Sequence, residues 1–171
     1  MLLAIILLSL SCNATESYEL VGGGLTYHIM VPIRSRNFSN KVSEDGRLID
    51  NPIIGIQRVV ESRDYYTSLG AFTGANSVGD TILGMKYSTG ARIEHWYLGI
   101  VLGAYEQPTH TFYDRNIVPF QLAKIGDVGI VPVVGWEVNY RINLSRSYYL
   151  KLNNIVSPMI TNTTISVGVS F

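Results

Sequence analysis

The stretch Trp96-Tyr97-Leu98-Gly99-Ile100-Val101-Leu102-Gly103-Ala104-Tyr105 governs how the rest of the chain is read. Taken with a period of two, Trp96, Leu98, Ile100, Leu102 and Ala104 form an unbroken apolar row. Tyr97, Gly99, Val101, Gly103 and Tyr105 form the opposite row. Bulky groups on one side and glycines on the other suit a narrow barrel with its large side chains outside, because a lumen of about eight strands barely holds its own side chains. A soluble sandwich or lipid-binding barrel would show the same alternation with the bulky row turned inward, so this strand alone leaves the placement open.

The flanking segments repeat the pattern. Val21 to Val31 puts Leu25, Tyr27, Ile29 and Val31 on one face and Thr26, His28 and Met30 on the other. Further strands are predicted at Ile53 to Glu61, Tyr65 to Thr73, Thr81 to Ser88, Ile93 to Tyr105, Gly129 to Tyr140, Ser147 to Val156 and Thr163 to Phe171. The fourth alternates Leu83, Met85 and Tyr87 with Ile82, Gly84 and Lys86, and a turn is predicted at Ser88-Thr89-Gly90. Asn51-Pro52 marks a strand start, because proline has no N–H to donate. Pro132 interrupts one ladder, and Ser157-Pro158 stops another. Arg34 to Asp50 and Glu106 to Asn116 read as long loops, and Ile117 to Asp127 is part strand and part connection. No segment after Thr15 has a helical period. The expectation is an all-β fold: an eight-stranded antiparallel transmembrane β-barrel of the outer-membrane type. The final alternating strand, ending on Phe171, resembles the terminal signal of bacterial outer-membrane barrels, which points to the bacterial outer membrane.

Composition agrees. With 171 residues the chain is one domain, and 13 basic residues balance 13 acidic ones, so no basic field exists to recruit nucleic acid. Eleven Tyr and 16 Gly suit interfacial aromatics and a crowded lumen. Met1 to Leu10 is an apolar run too short to span a bilayer as a helix, followed by small and polar residues, and reads as a signal peptide. Cleavage after Ala14 would leave 15–171 as a single barrel domain and discard Cys12, whereas processing before Cys12 would leave it lipid-anchored.

Several motifs resemble one family. Leu25-Thr26-Tyr27-His28, Asn51-Pro52 before a glycine-containing strand, Gly70-Ala71-Phe72, and Leu98-Gly99-Ile100-Val101-Leu102-Gly103 fall in the order and near the spacing found in the lipid A palmitoyltransferases of the PagP type. The resemblance spans roughly Leu20 to Phe171. It implies a monomeric, membrane-embedded enzyme that moves a palmitoyl-like chain from a phospholipid to lipid A, with no cofactor or metal. It further implies that Pro132 and Pro158 flank lateral gaps in the wall, and that His28 is essential.

Acyl transfer to a hydroxyl needs a base within hydrogen-bond reach, and a neutral imidazole such as His28 fits. The family's Asp-Ser pair after the third strand has no ungapped counterpart. A shift of two places Asn76-Ser77 there, which keeps the serine and exchanges a carboxylate for an amide. Lys86, beside Gly84, occupies the position that limits acyl-chain depth in the family, and an ammonium there calls for a carboxylate partner such as Glu137. The candidate site is therefore His28, Asn76 and Ser77 for catalysis, with Gly84, Lys86, Pro132 and Pro158 for the chain. The alternative is a catalytically silent barrel of the same kind that binds lipid or supports the envelope. His95 and His110 have no metal-ligand spacing and read as loop or interface residues.

Overall fold

The computed structural model describes residues 14–29, 47–76, 79–108, 123–158 and 160–171. These carry nine strands: β1 (Thr15–His28), β2 (Leu48–Glu61), β3 (Tyr65–Ala75), β4 (Thr81–Ile93), β5 (Trp96–Pro108), β6 (Ala123–Ile125), β7 (Val128–Asn143), β8 (Tyr148–Val156) and β9 (Ile160–Ser170). Each strand through β5 pairs with the next, β5 pairs with β7, and β7, β8 and β9 follow in order until β9 returns to β1. Eight long antiparallel strands thus close a barrel, and β6 adds a short hairpin to the end of β7. Closure leaves no long edge exposed, which a sheet in hydrocarbon requires.

The bulky rows face outward. Ile100 and Leu102 are each 48 % exposed, whereas Val101 between them is buried, as is Tyr97 on the same row as Val101. Leu20, Ile54, Ile56, Leu69, Leu83, Met85, Val134, Ile165 and Val167 continue the apolar band around the wall. At the end with short turns, an aromatic rim is formed by Tyr18, Tyr65, Trp96, Tyr148 and Phe171, with Trp96 packed against Tyr140 at 4.8 Å between ring centroids. Apolar atoms outside, charged groups inside and aromatics at one rim are the arrangement of a barrel solvated by a bilayer. His28 and Pro108, the strand ends that precede the longest connections in the sequence, both lie at the opposite end.

The structure moves several boundaries. The first strand begins at Thr15, six residues before the predicted Val21, and ends at His28. Its register shifts between Gly23 and Leu25, with Gly23 at φ +76°, a conformation glycine adopts freely. That bulge reverses the parity: Ser17, Glu19 and Val21 point inward before it, and Thr26 and His28 after it. A period of two carried through the glycines therefore loses the first half of the strand. Asn51-Pro52 lies inside β2 instead of opening it, with Pro52 one residue beyond the last β3 pair, Ile53 with Gly74. Ser88-Thr89-Gly90 is strand, not turn: β4 runs on to Ile93, and the reversal falls at Glu94-His95, with Glu94 at φ 54°. Ser88 and Gly90 face a crowded lumen and Thr89 lies opposite outward Ile100, so a run of small residues that suits a strand only resembles a turn. Of the ambiguous stretch Ile117 to Asp127, the described part forms β6 and its turn, and the proposed signal segment lies outside the described residues except for Ala14.

We predict that Ile100→Arg, at mid-height on the outer face, costs about 2–4 kcal/mol of stability in lipid vesicles. Urea titration followed by gel mobility of the folded form measures it, and an unchanged midpoint would contradict bilayer burial of this row.

Candidate functional site

The half of the lumen nearest the short turns is filled by buried charge, arranged as three carboxylates that each receive a tyrosine hydroxyl and a cation. Glu61, the last residue of β2, accepts from Arg141 Nη1 at 2.6 Å and from the Tyr97 hydroxyl. Glu19 of β1 accepts from the Tyr149 hydroxyl at 2.8 Å, from Ser166 at 2.8 Å, and from Lys151 and Gln57. Glu137 of β7 accepts from Lys86 Nζ at 3.1 Å and from the Tyr66 hydroxyl at 3.0 Å. The clusters are linked, because Arg141 lies 3.7 Å above the Tyr149 ring and Lys151 5.3 Å from the Tyr97 ring. Inward glycines make room for the tyrosines: a Cβ on Gly168 would meet the Tyr149 ring at 2.1 Å, and one on Gly99 the Tyr66 hydroxyl at 2.6 Å.

Above this floor the lumen changes character. A cavity of about 140 Å³ occupies the long-loop half, its wall mainly apolar and including Ile53, Phe72, Ile82, Tyr105, Val133 and Ile155. Lys86 borders it from below. Toward its mouth is a polar collar on three adjacent strands: Thr26 of β1, Asn51 of β2 and Asn162 of β9. Asn51 Nδ2 donates to Thr26 Oγ1 at 2.9 Å and Asn162 Nδ2 at 2.8 Å.

The sequence-derived residues fall in different places. His28 points inward at the end of β1 and is buried, with no hydrogen-bond partner for Nε2 among the described residues. It is not among the residues lining the cavity. Asn76 does line it, but its side-chain oxygen accepts from the Asp80 N–H at 2.9 Å and so helps hold the β3–β4 turn. Ser77 lies outside the described residues. Lys86 has the Glu137 partner that an ammonium at this depth requires. Gly84 is buried beneath Phe72, where a Cβ would meet Cζ at 2.5 Å. Pro132 sits in β7 opposite Ala104, and Pro158 is exposed in the β8–β9 turn. Between them the wall is incomplete: the β7–β8 ladder starts at Trp136 with Val156, and β6 covers 128–130. Residues 131–135 of β7 therefore lack a ladder partner on that side among the described residues. His95 forms part of the β4–β5 turn, its ring 6.0 Å from that of Tyr140, and His110 lies outside the described residues.

Thr26 went unmarked because its importance comes from Asn51 and Asn162, which are distant in sequence. The parity change at Gly23 hides Glu19 in the sequence, since an uncorrected count turns it toward lipid, and leaves Lys151 of β8 without a visible partner.

No known family model matches the chain, and no curated protein does. Among solved structures it is similar to Ail, the attachment invasion locus protein of Yersinia pestis, in complex with the heparin analogue sucrose octasulfate: 13 % identity, TM-score 0.47, over 92 % of this chain and 99 % of that one. A chain from the de novo design of transmembrane β-barrels matches at 12 % identity and TM-score 0.40, over 90 % and 95 %.

We predict that Lys151→Met destabilises the barrel by about 3–5 kcal/mol by leaving Glu19 buried without its cation. Adding Glu19→Gln should restore most of the loss. Urea unfolding of the two single variants and the double variant measures the coupling, and simple additivity would refute it.

Proposed function

We propose that the protein is a bacterial outer-membrane barrel that takes the acyl chain of a membrane lipid into the long-loop half of its lumen. The observation that carries this reading is the cavity itself: an apolar slot above a sealed, charge-filled floor, with a polar collar toward the mouth. Apolar walls exclude ions and sugars as occupants, and a closed floor argues against a through-pore. At about 140 Å³ the space is smaller than pockets for drug-sized ligands, and it suits a segment of chain. The interrupted ladder beside Pro132 supports entry from the side, since a seam that among the described residues has no bonds between β7 and β8 yields at least cost.

A second reading, acyl transfer to lipid A in the manner of the PagP-type enzymes, is favoured by His28. A buried imidazole facing the lumen, its Nε2 without a partner among the described residues, is equipped to take the proton of an attacking lipid A hydroxyl. The hydroxyl oxygen would bond to the ester carbonyl carbon of the phospholipid, and the departing lysophospholipid oxygen would recover the proton. Asn76, engaged in its turn, contributes position more than acid–base chemistry.

Mass spectrometry of the barrel purified in mild detergent is expected to find retained acyl-bearing lipid. Val133→Trp, which fills the slot, should release it while the barrel stays folded. A lipid-free wild-type barrel that also fails to bind added lipid would overturn the proposal. For the second reading, lipid A from cells expressing the wild type should carry one added acyl chain, and His28→Ala should abolish that addition while retaining bound lipid. Unmodified lipid A beside a correctly inserted wild-type barrel would remove the transferase reading and leave the binding one.

A further inference from the structure

We infer that the Thr26 hydroxyl is a hydrogen-bond donor reserved for a ligand carbonyl oxygen, so that the cavity selects an acyl ester over a bare hydrocarbon or an alkyl ether. The inference rests on the reading of the cavity as an acyl-chain site and adds the chemical class of its occupant. Thr26 is 1 % exposed, points into the lumen and belongs to the cavity wall. Its oxygen accepts two amide N–H groups, from Asn51 and Asn162. A hydroxyl has two acceptor lone pairs and one hydrogen, so both acceptor positions are filled and only the O–H remains. Among the described residues no acceptor takes that hydrogen. Two donors on one oxygen also draw electron density from it and strengthen the O–H as a donor.

A buried donor without an acceptor is costly, and an occupant carrying a carbonyl at that level removes the cost. The position suits an ester. Val21, Gly55 and Gly70 extend the wall toward the middle of the barrel, below Thr26 on the long-loop side. A chain seated among them would leave its ester group at the collar. An alkyl ether of equal length fills the same space but has no carbonyl to receive the hydrogen.

The test uses the full barrel in detergent micelles and two probes, a diacyl glycerophospholipid and the dialkyl ether lipid with the same headgroup and chain length, compared by competition in native mass spectrometry. The wild type is expected to prefer the ester roughly fivefold, the scale of one hydrogen bond. Thr26→Val should bring the two lipids to equal affinity, and Thr26→Ser should keep the preference. Equal affinities in the wild type would overturn the inference without any variant, and so would a preference that survives Thr26→Val. Failure to bind either lipid would instead bring down the acyl-chain reading beneath it.

Discussion

Everything in this barrel depends on neutralising three carboxylates that the closed wall removes from bulk water. An isolated ionised carboxylate at such depth is prohibitively unfavourable, so each must be met by a cation and by enough donors to occupy its oxygens. Glu61, Glu19 and Glu137 meet that requirement with Arg141, Lys151 and Lys86, and each adds a tyrosine hydroxyl. Each carboxylate and its cation come from strands that are not neighbours in the wall, so the clusters tie the sheet together through the lumen. They also account for two of the inward glycines: Tyr149 and Tyr66 occupy the space left at Gly168 and Gly99 by the missing side chains.

The charge-filled half and the apolar half divide the work. Near the short turns, aromatic side chains outside and the ionic clusters inside fix the wall. Toward the long loops the same wall encloses space and ends its ladders unevenly. β7 has 16 residues and its neighbour β8 has 9, so one side of the rim stands well above the other. Rigidity at one end supports an adaptable chamber at the other.

The outer face was the most legible part of the sequence. Trp96 through Ala104 reads directly because each of those side chains has a single requirement, contact with hydrocarbon, and alternation expresses it fully. Lys86 with Glu137 could also be foreseen, since a charge on an inward row demands an opposite one. The collar could not. Thr26, Asn51 and Asn162 are unremarkable singly, and only closure of β9 onto β1 brings the third member to the first. Asn76 is ambiguous for the opposite reason: its side-chain oxygen accepts from the Asp80 N–H four residues on, and a local bond of that kind looks identical in sequence to a place in a site. The start of β1 was lost to the phase change at Gly23.

That phase change has a consequence for how the gene tolerates alteration. The tract Gly22-Gly23-Gly24 works as a spacer of set length between two reading frames of the same strand, one for Ser17 through Val21 and one for Leu25 through His28. Removing one codon from it would take the extra residue out: plain alternation from Val21 would still turn Leu25 outward and Thr26 and His28 inward, but Thr26 would slide along β2 from its place opposite Ile49. The tract is constrained in composition as well as in number, since Gly23 sits at φ +76° and a Cβ on Gly24 would meet the Asn51 carbonyl oxygen at 1.9 Å.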